Sequence, residues 1–514
     1  MPQSPAKAVP APPRPARIDP VPLSMLLARA GARLIAADPG AAELTVTGTT
    51  LRAQHVLPGD LFAALPGARA HGADFSADAV AAGAAAVLTD AEGAERARNT
   101  GVPLLVHDDP RGVLGSIAAW IYGEPSLRLS VLGVTGTSGK TTTSYLVDAG
   151  LQAAGVTTGL IGTVETRIAG EHLASGFTTP EAPDLQALLA VMEERGVTHV
   201  PMEVSSHALA LGRVNGTRFS VGAFTNLSQD HLDFHKDMQE YFAAKSLLFD
   251  GRSTTEIVVV DSAWGQQLLT PHTITVSTEP GIVADWRATD LQATAHGEQT
   301  FTLHGPDGVT AEARIPLPGE FNVANAVLAA AILSTAGVGL EHIVAGLAGV
   351  QVPGRMERVY VGQAFTAVVD YAHKPAAVAQ GLDALRARAD GRIITVLGCG
   401  GDRDTAKRPM MGEAAAQRSD VLIVTDDNPR SEDPAAIRAA MLAGARAAGG
   451  AEILEIGDRR EAIAHAVSLA RPGDIVFLAG KGHESGQEAG GVVHPFSDRD
   501  ELAAAIRSKL EVSV

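Results

Sequence analysis

The 514-residue chain is 46% hydrophobic and 19% charged, and its 41 Lys and Arg against 58 Asp and Glu give a formal charge of -17. That acidic balance, with no long Lys/Arg run, excludes a surface built for nucleic acid or an anionic membrane and leaves local basic residues to small anionic ligands. The length allows about three domains with separate cores. The single cysteine, Cys399, excludes an intrachain disulfide and fits a reducing, cytoplasmic setting.

Residues 1–22, "MPQSPAKAVPAPPRPARIDPVP", are proline-rich and lack the apolar core of a signal peptide, so they read as a disordered lead-in. Residues 23–125 alternate short helical and strand patterns, including "VLPGDLFAALPGA" and "GAAAVLTD", as in a small α/β domain. From 126 to 352 the apolar runs "LSVLGV", "TTGLIGTV", "THVPMEV", "VGAFTNL" and "EIVVVDS" alternate with helical stretches. That rhythm predicts a parallel sheet covered by helices. From 353 to 514 it returns in "FTAVVDYAH", "RIITVLGCGGDRD", "DVLIVTDDNPR", "AEILEIGD" and "DIVFLAGKGHE", a second parallel sheet of Rossmann type. The fold class is therefore α/β in three domains: a small N-terminal α/β domain, a central P-loop-type parallel-sheet ATPase domain and a C-terminal Rossmann-like domain. No apolar stretch approaches the length of a membrane span.

The strongest local signal is "VLGVTGTSGKTTTSYLVDAG", an apolar strand, a glycine-rich turn and an amphipathic run. Backbone N–H groups of such a turn, with the positive end of the following helix, attract an anion. Lys140 would reach the outer phosphates of a nucleotide and Thr141 would hold magnesium. The spacing departs from the usual phosphate-loop pattern, because Val134 stands where the first glycine is expected and Gly133 lies one place earlier.

Glu203 ends the apolar run of "THVPMEVSSHAL", where a carboxylate could reach magnesium, or simply terminate a strand. His231, in "FTNLSQDHLDFH", could be a second metal ligand or a cap. Lys245, in "MQEYFAAKSLLFD", lies four residues from both Tyr241 and Phe249, on an apolar stripe at helical spacing. There it either snorkels to solvent or is desolvated and functional. In the last third, polar clusters follow the apolar runs, where open α/β sheets bind ligands. Arg403 and Arg430 suit bidentate pairing with a carboxylate and Glu484 offers an acceptor for an ammonium, which suggests an amino acid.

The ordered series "GVTGTSGKTTT", "TTPE", "MEVSSHAL", "FTNLSQDHLDFH", "YFAAKSLLF", "GEFNVANA", "VPGRMER", "DYAHKP", "GCGGDRD", "DNPR" and "GKGHE" resembles the Mur ligases, from about residue 24 to the end. The resemblance implies an ATP-dependent ligase of peptidoglycan precursor synthesis, forming an amide bond through an acyl phosphate; a monomer is the expectation, which no motif dictates. It implies that Gly136, Thr137, Ser138, Gly139, Lys140, Thr141 and Thr142 hold the ATP phosphates, and that Asn322, Arg355 and Asp370 contact the nucleotide. Thr141, Glu203, His231 and Lys245 would serve Mg2+, with Lys245 carbamylated; Lys140, Glu203, His231 and Lys245 form the catalytic set. Thr178, Thr179, Ser205 and Arg213 would grip UDP-N-acetylmuramoyl-L-alanyl-D-glutamate. Asp427, Asn428, Pro429 and Arg430 match the D-N-P-R of diaminopimelate-adding members and, with Arg403, Gly480 and Glu484, imply a pocket for meso-diaminopimelate.

The chain also departs from the family's pattern at Arg52, Ala53 and Gln54, at Leu211, at Lys374 and at Gly486. Competing expectations are the same reaction with L-lysine or L-ornithine, a folylpolyglutamate synthase-like ligase, and a nucleotide-dependent switch without ligase activity.

Overall fold

The computed structural model describes residues 11–512, apart from 37, 68–69, 174–176, 295–296 and 388. These form two compact units. The first runs through Asp285 and takes back Leu328–Gly346; the second consists of Trp286–Val327 and the residues from Leu347 onward.

In the first unit, a five-stranded sheet has the order Arg33–Ile35, Leu104–Val106, Ala86–Thr89, Asp60–Ala63 and Gly48–Thr50, parallel except for its first pair. A larger sheet runs Gly159–Ile161, His199–Glu203, Ser130–Thr135, Phe219–Phe224, Ser253–Val259 and Ile274–Ser277 in parallel order. The hairpin strands Thr166–Ile168 and Glu171–Leu173 extend its Gly159 edge antiparallel. Its inner strands are continuous apolar runs because helices cover both faces; Val131, Leu132, Val134, Val200 and Met202 are buried. Each such side chain stabilises the fold by about 1.5–3 kcal/mol. Register aligns Glu203 with Val134 and Phe224 with Thr135. Three strands therefore end at one edge, where the glycine-rich turn begins.

The expected lead-in requires correction where it is described; residues 1–10 lie outside the described residues. Residues 11–22 are tied down. Arg14 grips the buried Asp60 carboxylate through both terminal nitrogens, at 2.5 and 2.8 Å. Glu194 accepts the backbone N–H groups of Ala16 and Arg17, and Val21–Pro22 pairs with Thr45–Val46. Arg14→Met should therefore cost about 3 kcal/mol, because Asp60 would be left buried without its cation. An earlier thermal transition in calorimetry would register the loss, and Arg14→Met/Asp60→Leu should recover most of it.

In the second unit, Trp286–Ala293, Gln299–His304 and Thr310–Ile315 form an antiparallel meander, where the expectation was parallel strands throughout. Side chains of Gln299–His304 alternate between buried and half-buried, the period of a one-faced sheet. The six-stranded sheet of this unit has the order Glu357–Arg358, Thr366–Asp370, Ile475–Ala479, Ile393–Leu397, Val421–Val424 and Glu452–Glu455. All but its first strand are parallel. All five strands expected here form, and apolar clusters pack on both faces. The hairpin Gly486–Ala489 with Val492–Pro495 follows the last of these strands.

Candidate active site

The turn after Ser130–Thr135 is shaped by two glycines. Gly136 has φ 148° and Gly139 has φ 90°, and a Cβ on Gly136 would fall 1.9 Å from Thr225 Oγ1, so no larger residue fits. The neighbouring strand end holds the turn: Thr137 N–H donates to Asn226 O at 2.9 Å, Ser138 N–H donates to Asn226 Oδ1 at 3.0 Å, and Thr225 Oγ1 donates to Ser138 O at 2.6 Å. Helix Lys140–Ala153 opens directly from Gly139, aiming its positive end at the turn. Lys140 Nζ folds back to Gly136 O at 2.9 Å and Thr137 O at 3.2 Å. An anion seated in this turn would meet backbone N–H groups and an ammonium together.

Thr141 and Glu203, both expected at a metal, are brought together: Thr141 Oγ1 donates to Glu203 Oε1 at 3.0 Å. Glu203 is 1% exposed. It also accepts Thr163 N–H at 2.8 Å and the Thr163 hydroxyl at 3.0 Å. A buried carboxylate beside a hydroxyl at a phosphate-binding turn is a hard oxygen set suited to Mg2+. Lys245, on helix Met238–Ser246, is also 1% exposed, so the snorkelling alternative does not hold. Its Nζ donates to Gly136 O at 2.8 Å and lies 4.7 Å from the Tyr241 ring centroid. Two lysine nitrogens thus converge on one carbonyl, and the repulsion between their charges favours an anion beside them.

His231 has φ 53° and is joined to this region through aromatic contacts. Its ring lies 4.9 Å from His207 and 6.0 Å from Tyr241, and its Nε2 is 3.0 Å from Asp230 Oδ2. Tyr241 is the hub, stacked on His235 at 5.0 Å with its hydroxyl 3.1 Å from Thr137 Oγ1. Burial pushes its hydroxyl pKa up, keeping the proton that the hydrogen bond needs. Burial also lowers the pKa values of His207 and His235.

Thr178, Thr179, Ser205 and Arg213 form one connected patch beside Glu203. Thr178 Oγ1 is 3.0 Å from Thr163 Oγ1, and Thr179 Oγ1 donates to Glu203 O at 2.9 Å and accepts Ser205 N–H at 3.1 Å. Arg213 reaches Thr179 O at 3.2 Å and Glu181 at 2.9 Å, with its guanidinium 4.9 Å from the Phe177 ring. Thr142 is buried in the first turn of the helix.

In the second unit, Asn322 is buried, donating to Pro318 O at 2.8 Å and accepting from Asn325 at 3.1 Å. Asp370 ends its strand and accepts Met356 N–H at 2.7 Å. Desolvation raises its pKa while the charge of Arg355 opposes the rise. Arg355 lies over the Tyr371 ring at 4.5 Å.

The polar cluster after Val421–Val424 meets the one after Ile475–Ala479. Asn428 Nδ2 donates to Glu484 Oε2 at 2.8 Å, and Gln487 Nε2 donates to Asp427 O at 2.7 Å. Arg430, at φ 52° and following Pro429, donates to Gly401 O at 2.6 Å and lies 3.4 Å from Glu488. Its backbone pairs with the hairpin, through Arg430 N–H to Glu488 O at 3.0 Å and Gly490 N–H to Arg430 O at 2.7 Å. Gly480 has φ 114°, and a Cβ there would fall 2.6 Å from Asp427 Oδ2. Arg403 is exposed on a loop pinned beside Arg430 by Asp402, which accepts the Ser431 hydroxyl at 2.8 Å.

Sequence reasoning missed Thr163, Tyr241, Glu488 and Lys481. Thr163 ends the run "TTGLIGT" and could have been found as a hydroxyl at a strand end. Lys481 stands between two glycines, and nothing local announces that it is fully buried.

Residues 45–122 match the description "Mur ligase family, catalytic domain", residues 134–333 "Mur ligase middle domain" and residues 354–482 "Mur ligase, glutamate ligase domain". Two curated relatives, from Corynebacterium glutamicum and Streptomyces coelicolor, carry the name UDP-N-acetylmuramoyl-L-alanyl-D-glutamate--2,6-diaminopimelate ligase. The first is 54% identical over 88% of this chain and 89% of its own; the second is 53% identical over 97% and 99%. A solved structure of a ligase with that same name is 32% identical, covers 96% of this chain and 100% of its own, and superposes with a TM-score of 0.67.

Proposed function

This chain belongs to the Mur ligase family of ATP-dependent amide ligases, and we propose that it adds meso-diaminopimelate to UDP-N-acetylmuramoyl-L-alanyl-D-glutamate in peptidoglycan precursor synthesis. The observation that carries the choice of amino acid is the cluster of Asn428, Arg430 and Glu484 after two strand ends. It offers donors for a carboxylate and an acceptor for an ammonium. Lysine and ornithine lack the second carboxylate, so either would forgo the pairing that Arg430 offers.

A carboxylate resists attack by an amine, so the D-glutamate carboxylate is first converted to an acyl phosphate. The turn Gly136–Thr142, with the positive end of the helix behind it, and the ammonium of Lys140 hold the ATP phosphates and stabilise charge on the group in transfer. Asn322, Arg355 and Asp370 contact the rest of the nucleotide. Thr141, Glu203, His231 and a carbamate on Lys245 would hold Mg2+, which would supply Lewis-acid charge for the transfer when bound. Thr178, Thr179, Ser205 and Arg213 bind the uridine diphosphate substrate, while Arg403, Asp427, Asn428, Pro429, Arg430, Gly480 and Glu484 hold the amino acid. The enzyme works in the cytoplasm as a monomer, without nucleic acid or a membrane surface. Among the described residues, no helix is long and apolar enough to cross a membrane.

The test is phosphate release with ATP, Mg2+ and the uridine diphosphate substrate, adding meso-diaminopimelate, L-lysine or L-ornithine in turn, with products identified by mass. Turnover and a tripeptide product are expected with diaminopimelate, at a kcat/KM far above that with L-lysine or L-ornithine. Better turnover with lysine or ornithine would overturn the pocket reading, and phosphate release independent of any amino acid would overturn the ligase reading.

A further inference from the structure

Lys481 follows the strand Ile475–Ala479 by two positions and is fully buried. Its Nζ donates to Asn428 Oδ1 at 3.1 Å and to Glu484 Oε2 at 3.0 Å. Asn428 Oδ1 accepts a second hydrogen bond, from Glu488 N–H at 2.9 Å, while Asn428 Nδ2 donates to Glu484 Oε2 at 2.8 Å. An ammonium and a peptide N–H can only donate, and a carboxylate can only accept. Turning the Asn428 amide over would set donor against donor twice and oxygen against oxygen once. The direction of the amide is therefore dictated by its neighbours, with its oxygen fully engaged and one N–H of Nδ2 left over.

We propose that Lys481 is a positioning residue that decides which amino acid the pocket accepts, by locking Asn428 as a hydrogen-bond donor toward the ligand. A donor suits the second carboxylate of diaminopimelate. Lysine and ornithine carry an ammonium at their far end but no carboxylate there, so this donor has no acceptor in either of them. Without Lys481, the amide oxygen loses one of its two donors and the Glu484 carboxylate loses the cation beside it, so Glu488 N–H and the Nδ2–Glu484 hydrogen bond hold the amide more weakly. Asn428 can then turn its oxygen outward, where it accepts from an ammonium. The selectivity of the pocket thus resides in a buried cation that need not touch the ligand. This inference rests on the diaminopimelate reading given above.

The test compares wild type, Lys481→Met and Lys481→Arg in steady-state kinetics with diaminopimelate and with L-lysine. Lys481→Met should raise the KM for diaminopimelate about 10-fold or more and reduce the kcat/KM preference for it over lysine by a similar factor. The KM values for ATP and the uridine diphosphate substrate should stay within twofold. Lys481→Arg, which still donates, should recover part of the preference. An equal loss of kcat/KM for both amino acids would show a merely structural role and overturn the inference. Should Lys481→Met not fold, Asn428→Asp carries the test: facing the ligand with an acceptor, it should lose diaminopimelate turnover and retain lysine turnover, and an equal loss of both would overturn the inference. Failure of wild type to use diaminopimelate would instead refute the underlying functional reading, which separates the two failures.

Discussion

Lys245→Met is expected to lower kcat by about 10^3-fold while leaving the dissociation constant of ATP within threefold of wild type. On the proposed function, Lys245 stabilises charge at the centre of a phosphoryl transfer, where loss of one such group costs about 10^2–10^3, and its carbamate would be a metal donor lost in addition. Methionine keeps the length and the apolar stem of lysine, so the packing of helix Met238–Ser246 against the phosphate loop should survive. What disappears is the nitrogen that bonds Gly136 O at 2.8 Å and faces the Tyr241 ring at 4.7 Å.

Lys140 bonds the same Gly136 carbonyl at 2.9 Å, which places the two lysine nitrogens less than 6 Å apart. Two ammonium groups that close repel each other. A carbamate on Lys245 would relieve that repulsion by exchanging a positive charge for a negative one. Incubation with 13C-bicarbonate should give a carbamate carbon signal in wild type that Lys245→Met lacks. A fall in kcat below 10-fold would reduce Lys245 to a structural tie on Gly136, and an absent signal would remove the carbamate.

The parts of the molecule legible in its sequence are those where the determinant is local. The phosphate loop announces itself because glycines at positive φ, a strand before and a helix after all lie within about twenty residues. The parallel strands of the second unit are legible because burial on both faces leaves only apolar residues in runs such as "VLIV" and "IVFLA". The meander of Trp286–Ile315 escaped because its strands are half-exposed and carry Thr, Gln, Glu and Arg, so their composition resembles loops. The lead-in was misread for a different reason: proline richness describes local stiffness, while the anchor is Arg14 reaching Asp60, 46 positions away. Lys481 was missed on the same ground, since the partners that bury it, Asn428 and Glu484, come together only in the folded sheet.

Arg459→Met is expected to destabilise the second unit by about 3–5 kcal/mol, the cost of stranding a buried charge. Arg459 and Asp498 are both 0% exposed, and the pair is bidentate, with Nε donating at 2.7 Å and a terminal nitrogen at 2.6 Å. Each residue begins a helix, Arg459–Leu469 and Asp498–Val512. Asp498 is well placed at its helix N-terminus, where negative charge opposes the dipole. The same Arg459 nitrogen donates to Ala479 O at 3.0 Å, immediately before Gly480 and Lys481. One guanidinium therefore ties two helix starts to the end of the strand that leads into the proposed amino-acid pocket.

Two measurements separate its structural and functional consequences. In thermal denaturation, Arg459→Met should unfold markedly earlier, and Arg459→Met/Asp498→Leu should recover much of the loss, because a buried pair replaced by apolar groups can be nearly neutral. In the double variant the tether on Ala479 is still missing, so the KM for diaminopimelate should remain raised while ATP binding is unchanged. If the double variant recovered both stability and KM, the tether would be irrelevant to the pocket and the strand end would be held by the sheet alone. If the single variant melted with wild type, the pair would not be bearing the desolvation cost that its complete burial requires.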